Sequence, residues 1–244
     1  MSITGTADGS PVRLGVAIAD IVTGMFAAHG VLAALFARER TGLGQMVDIG
    51  MLDSVAALLT YQAGIYFATG SAPKRMGNRH PTIVPYETFQ ASDGEFVLAV
   101  GNDEQWRRFC EVAEIDQEER FATNQKRVET YPDLRPILDR RLRIRPRSYW
   151  IETLTAAGIP CGSVRDLKEV FSDPQLLARA MVVNVAHPAL GDLAVLGTPL
   201  KLSVTPASIR RPPPPLGAET DAVLSGDLGL QREQVEALRE RRIV

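Results

Sequence analysis

Ile21-Val22-Thr23-Gly24-Met25-Phe26-Ala27-Ala28-His29-Gly30-Val31-Leu32-Ala33-Ala34-Leu35-Phe36-Ala37 is the most apolar stretch of the chain. Only Thr23 and His29 are conspicuously polar. The run lies at the lower limit of what spans a bilayer, contains two glycines and a histidine, and is followed by no second such run. It is therefore read as a buried core helix rather than a membrane anchor. The small residues Gly24, Ala27, Ala28 and Gly30 would let another helix or a ligand approach closely. Arg38, Glu39 and Arg40 mark its exposed C-terminal end, where basic charge suits the helix dipole. Thr41-Gly42-Leu43-Gly44-Gln45 then turns the chain.

Outward from this helix, the period of the apolar residues gives the remaining elements. Met46 to Ile49 reads as a short strand and Leu52 to Phe67 as a second apolar helix. Residues 70–81, with two prolines and Lys74, Arg75 and Arg79, read as a linker. Ile83 to Phe89 and Phe96 to Val100 form a hairpin turning at Ser92-Asp93-Gly94. Helices are expected over Glu104 to Ala113, Tyr131 to Leu142 and Ser148 to Ala157, with short ones near Asp166 to Phe171 and Pro174 to Ala180. A second strand pair, Val182 to Ala186 and Leu193 to Leu196, precedes the extended Pro212 to Pro215 connector and an amphipathic helix over Leu230 to Arg242. This is a mixed α/β chain. Its expected organisation is residues 1–69 as part of a larger α/β domain, 70–81 as linker, 82–180 as a smaller α+β domain, and 181–244 returning to the larger one.

Composition restricts the function. Of 244 residues, 45% are hydrophobic and 23% charged, the profile of a soluble globular protein. Twenty-seven basic against 29 acidic side chains give a formal net charge of −2, so the whole molecule has no electrostatic attraction for nucleic acid. Cys110 and Cys161 stand far apart without a CxxC pattern, which argues against a disulfide framework or a structural zinc and fits a reducing cytoplasm. The opening Met1 to Pro11 stretch is polar and turn-rich, without the pattern of a secretory signal. His29, His80 and His187 lack metal-ligand spacing, so no metal is expected. Gly42-Leu43-Gly44 lacks the third glycine of a dinucleotide fingerprint, and neither a P-loop nor a Gly-x-Ser-x-Gly nucleophile elbow occurs. The arginines from Arg135 to Arg147 are interleaved with Ile137, Leu138 and Leu142 and offset by Asp133 and Asp139. They read as a solvated helix face, with phosphate binding a secondary possibility.

Asp20, at the entry to the apolar helix, has two readings. As an N-cap it would accept a backbone hydrogen bond and do nothing more. As a nucleophile, its carboxylate would be aimed by the helix start, with Gly24 leaving room for a substrate.

Several segments in order resemble the family III CoA-transferases: Val16 to Met25 with the helix that follows, Arg40 to Ile49, His80-Pro81-Thr82-Ile83-Val84-Pro85-Tyr86 to Gly94, Gly101-Asn102-Asp103-Glu104-Gln105-Trp106, Gly158 to Gly162, and Asp173-Pro174-Gln175. The resemblance implies the fold of that family, with an interlocked homodimer. It makes Asp20 the catalytic aspartate, passing through an aspartyl-acyl anhydride and an aspartyl-CoA thioester. It aligns Gly101 to Gln105 with a loop covering the active site. Backbone N–H groups near Gly101 and Asn102 are then expected as oxyanion donors, and Glu104 and Gln105 as substrate-binding residues. Acyl-CoA and a carboxylic acid are the implied substrates, with no permanently bound cofactor. The α-methylacyl-CoA racemases share the resemblance, but the Gly101 to Trp106 and Pro81 to Tyr86 stretches are more similar to the transferases. Glu219 stands where family members often carry histidine. The likeness also begins part-way through the family pattern, so the chain is expected to be a C-terminal portion, and a catalytically incomplete association module is the competing expectation.

Overall fold

A computed structural model describes residues 1–244 and divides the chain into two compact units, Met1–Val164 and Arg165–Val244. In the first unit, α1 (Ile18–Thr41) takes up the apolar run and more. It stops where Gly42 adopts a left-handed φ of 71° and donates its N–H to the Arg38 carbonyl, a helix end that glycine accepts without a Cβ penalty. The second apolar helix is broken in two, α2 (Met51–Ala57) and α3 (Thr60–Thr69), with Thr60 at a positive φ of 39° at the break.

Two expectations need correction here. Residues 46–49 do not form a strand. No neighbouring strand offers them a ladder, and Val47 and Ile49 lie instead against α1 at Gly30, where a Cβ would stand 2.8 Å from Val47 Cγ1. Nor is α1 a buried core helix, because Val22 is its one buried residue. Its apolar residues run right round the helix, whereas the segments that reach it, α2 and the 46–49 stretch, are short and cover one side. Phe36 and Leu32 are left 64% and 63% exposed. By length and composition α1 could also cross a membrane.

The ordered core lies beyond residue 82. Strands β1 (Tyr86–Ala91) and β2 (Gly94–Ala99) pair antiparallel, with Phe89 opposite Phe96. Residue alternation puts Phe89 and Ala91 on the buried face, as the two-residue period of a strand requires. Helix α4 (Asp103–Ala113) brings Trp106, Phe109, Cys110 and Ala113 to that face, the i, i+3, i+4, i+7 spacing of one helix side. After a short 3₁₀ turn at Glu119–Phe121 come α5 (Asn124–Glu129), α6 (Tyr131–Leu142) and α7 (Arg147–Ala156). Leu134, Leu138 and Leu142 of α6 and Trp150 and Leu154 of α7 are fully buried. Trp150 joins the two helices by donating its indole N–H to the Leu142 carbonyl at 2.7 Å. Strand β3 (Cys161–Ser163) adds to the free edge of β2. It is too short for an alternating pattern to show in the sequence.

The second unit holds α8 (Leu167–Phe171), α9 (Pro174–Ala178), the antiparallel hairpin β4 (Val182–His187) and β5 (Gly191–Leu196), a π-helical turn at Ala222–Asp227 and α10 (Arg232–Glu240). Asp166 begins α8 with a reciprocal capping box to Glu169, and Asp173 caps α9. Val235 is the one buried hydrophobic side chain of this unit.

Candidate functional site

Asp20 is in the first turn of α1 and exposed, and the capping reading fails on geometry. The N-cap position is Ala17, and no side chain caps the helix. Asp20 is thus left with no capping duty, on a helix start whose dipole favours negative charge. Gly24 follows four residues on, on the same helix face. A Cβ built there would meet nothing within 4 Å, so the ground beside the carboxylate is open. A cleft of about 240 Å³ lined by Phe26, Asp48, Ile49 and Asp53 opens further along α1, and Asp20 is not part of its wall.

Gly101, Asn102, Glu104 and Gln105 form the entry to α4, and their polar groups are largely committed to it. Asn102 Oδ1 accepts the Gln105 N–H at 2.8 Å, and Gln105 Oε1 reaches back to accept the Gly101 N–H at 2.7 Å. The first bond satisfies a backbone donor that the helix start leaves free, and the second ties down the residue before the cap. The Gly101 N–H, expected as an oxyanion donor, therefore has a partner already. Gln105 also donates to the Gly158 carbonyl at 3.4 Å, and Glu104 pairs with Arg107 at 2.5 Å. This turn and Asp20 share none of the cavities described here.

Immediately behind the turn lies the most elaborate polar structure of the molecule. The Arg127 guanidinium is fully buried and donates to the Val84 carbonyl at 2.7 Å, the Phe121 carbonyl at 2.9 Å and Asp103 Oδ1 at 2.9 Å. It lies 4.9 Å from the Trp106 ring centre. The same Asp103 oxygen accepts the Asn124 N–H at 2.8 Å. Glu87, pointing to the buried face of β1, is met by the Tyr131 hydroxyl at 2.9 Å and by Arg135. Burial nonetheless holds its carboxyl above the ordinary range, against the lowering effect of Arg135 and Tyr131. The arginines expected on a solvated face are partly structural: Arg135 bonds Glu87 and Asp139, Arg141 bonds the Ala113 carbonyl and Glu114, and Arg147 pairs with Asp93. Burial pushes the Cys110 thiol up to about 12, so it stays protonated and inert.

One cavity was not anticipated. Residues 71–80 carry no helix or strand, and with the start of α3 and Tyr86 they enclose about 370 Å³. Lys74 and Arg79 line it, and no acidic residue does. The His80 ring stacks on Tyr86 at 5.3 Å between centres and 6° between planes, with Tyr61 at 5.5 Å on its other neighbour contact. Lys74, Arg75, Arg79 and His80 gathered between Pro73 and Pro81 were the available signal, but reading that stretch as a connector hides it.

The match to known proteins extends over most of the chain. The profile of CoA-transferase family III fits residues 1–220. The chain belongs to that family. A succinyl-CoA:glutarate CoA-transferase of Mus musculus is 36% identical over 98% of this chain and 55% of its own length. A succinate–glutarate CoA-transferase of Agrobacterium fabrum is 37% identical over 92% of this chain and 57% of its own. A CaiB/BaiF family protein from Brucella suis superposes with a TM-score of 0.77 at 36% identity, covering 93% of this chain and 59% of that one. The mixed helix-and-sheet architecture is therefore that of family III. This family III chain spans about half the length of the curated relatives it matches.

Proposed function

We propose that this chain supplies the nucleophile and part of the substrate site of a CoA-transferase that moves CoA from an acyl-CoA to a carboxylic acid. The observation carrying the proposal is the position of Asp20: an exposed carboxylate in the first turn of α1, relieved of capping and one helical turn from the open surface at Gly24, in a family III chain. A carboxylate attacking the thioester carbonyl expels CoA thiolate and forms a mixed anhydride. The thiolate then attacks the aspartyl carbonyl, releasing the donor's carboxylate and leaving aspartyl-CoA. The incoming acid's carboxylate attacks that thioester, and the freed thiolate takes the new acyl group and restores Asp20. Overall one thioester is exchanged for another of similar energy, so no nucleotide is consumed, and covalent catalysis divides one barrier into smaller ones. The names of the relatives favour dicarboxylic acids such as glutarate as acceptors and succinyl-CoA as donor. A second copy of the chain, as the family resemblance implies, would give the exposed sides of α1 a partner. Free Cys110 and Cys161 suit a reducing compartment.

The test is incubation with succinyl-CoA and mass spectrometry of the peptide bearing Asp20. A CoA-sized adduct is expected on Asp20 and none on the Asp20→Asn variant, whose transfer rate falls by about 10³-fold or more as the covalent route closes. The variant's stability should fall by no more than about 1 kcal/mol, because Asp20 is exposed and caps nothing and only its charge at the helix start is lost. Full transfer activity in Asp20→Asn would sink the assignment.

A further inference from the structure

We propose that the cavity between residues 74–80, the start of α3 and Tyr86 is a receptor for a small oxyanion, a carboxylate or a phosphate, with His80 as its oriented donor. His80 is anchored at its backbone, where the N–H donates to the Tyr86 carbonyl at 2.8 Å. Its ring is held by two contacts: its face stacks on Tyr86, and Nδ1 accepts the Thr82 N–H at 3.2 Å. An Nδ1 that accepts leaves the proton of the neutral imidazole on Nε2. That Nε2–H forms no hydrogen bond within the chain.

The surroundings suit a negative charge. Lys74 and Arg79 line the cavity and no carboxylate does. Arg79 lies 4.1 Å from the Tyr131 ring centre and interacts with the buried Glu87 behind it, so part of its charge is spoken for. Lys74 has no ion-pair partner. An imidazole donor of set direction beside two cations gives an oxyanion a charge-assisted hydrogen bond, which is stronger than a neutral one. The Tyr61 and Tyr86 rings supply apolar walls for the few carbons that would carry it.

This inference rests on the transferase reading only for its reaction context: the oxyanion would be the carboxylate of the acceptor acid or a phosphate of CoA. Binding is measured on the full chain by calorimetry, and by the nuclear magnetic resonance shift of the His80 Nε2–H, with glutarate and inorganic phosphate as separate probes. His80→Phe keeps a stacking ring and removes the donor. Saturable binding is expected, weakened about tenfold in His80→Phe and unaltered in Asp20→Asn. Glutarate binding assigns the cavity to the acid, and phosphate binding alone assigns it to CoA. Absence of saturable binding by either probe, or equal binding in His80→Phe with its melting temperature preserved, overturns the proposal. Because Asp20→Asn retains the cavity, loss of the nucleophile assignment and loss of the receptor are told apart.

Discussion

Two glycines on α1, six residues apart, have opposite surroundings. At Gly30 an added Cβ would lie 2.8 Å from Val47 and 3.5 Å from Ile49. Gly30→Ala should destabilise by about 1–3 kcal/mol as the 46–49 segment is forced off the helix. At Gly24 the space is open, so Gly24→Ala should gain up to about 1 kcal/mol from helix propensity while slowing transfer, since a methyl then stands beside Asp20. Paired denaturant melts and transferase assays separate the two, and a Gly24→Ala enzyme of full activity would show that substrate does not pass over that face. The sequence marks both positions as small, but only the fold tells which has a neighbour. Asp20 behaves likewise: its place at a helix start was legible, whereas its freedom from capping depends on the helix beginning at Ile18 rather than beyond it.

At the scale of elements, the strands and helices between residues 86 and 156 are held by buried polar links as well as by apolar faces. Arg127 ties α5 to the segment before β1, to the 3₁₀ turn and to the start of α4. Replacing it with Met leaves the Val84 and Phe121 carbonyls without this donor, while Asp103, half exposed, keeps the Asn124 N–H. The expected loss is about 2–4 kcal/mol, the cost of leaving two buried acceptors unsatisfied, seen as a fall in the denaturation midpoint. Glu87 introduces a pH dependence between β1 and α6. Its carboxyl is raised in the folded state by burial, so the native protein holds that proton more tightly than the unfolded chain does. The associated stability is fully present below the unfolded-state pKa and is lost as pH rises through the folded value. Against a Glu87→Gln variant, which cannot ionise, the wild type should compare best near pH 4 and progressively worse towards neutrality in melting experiments. A constant difference would mean that Tyr131 and Arg135 fully compensate the buried charge. The helix faces of α4 and α6 and the hairpin of β1 and β2 were readable from period alone. Tyr131 and Arg135 closing on Glu87 were not, because the pairing spans more than forty residues of chain.

Across the whole molecule, burial is very unevenly shared. The sheet and helices between residues 84 and 159 hold nearly all the buried hydrophobic residues, whereas α1 has Val22 and the unit from Arg165 to Val244 has Val235. Slow amide exchange, which reports local opening energies, should be confined to β1, β2, α4, α6 and α7. Residues 165–244 should exchange by sub-global opening well before the core. Uniform protection through both units would show that burial within each unit does not govern its stability. The apolar exposure of α1 belongs to this scale too: a helix apolar on all sides requires cover on all sides, and α2 with residues 46–49 supplies one.

The β1 and β2 hairpin, the apolar faces of α4, α6 and α7, the glycine turn after α1 and the likeness to family III were legible in the order of residues along the chain. Contacts between residues far apart in the chain arise only in the folded molecule. Residues 46–49 lie on Gly30 instead of joining a sheet, Gln105 takes up the Gly101 N–H, and Arg127 finds Asp103. A basic stretch that resembles a connector folds around an oriented histidine, because stacking and hydrogen bonding act through space between residues that the chain order keeps apart.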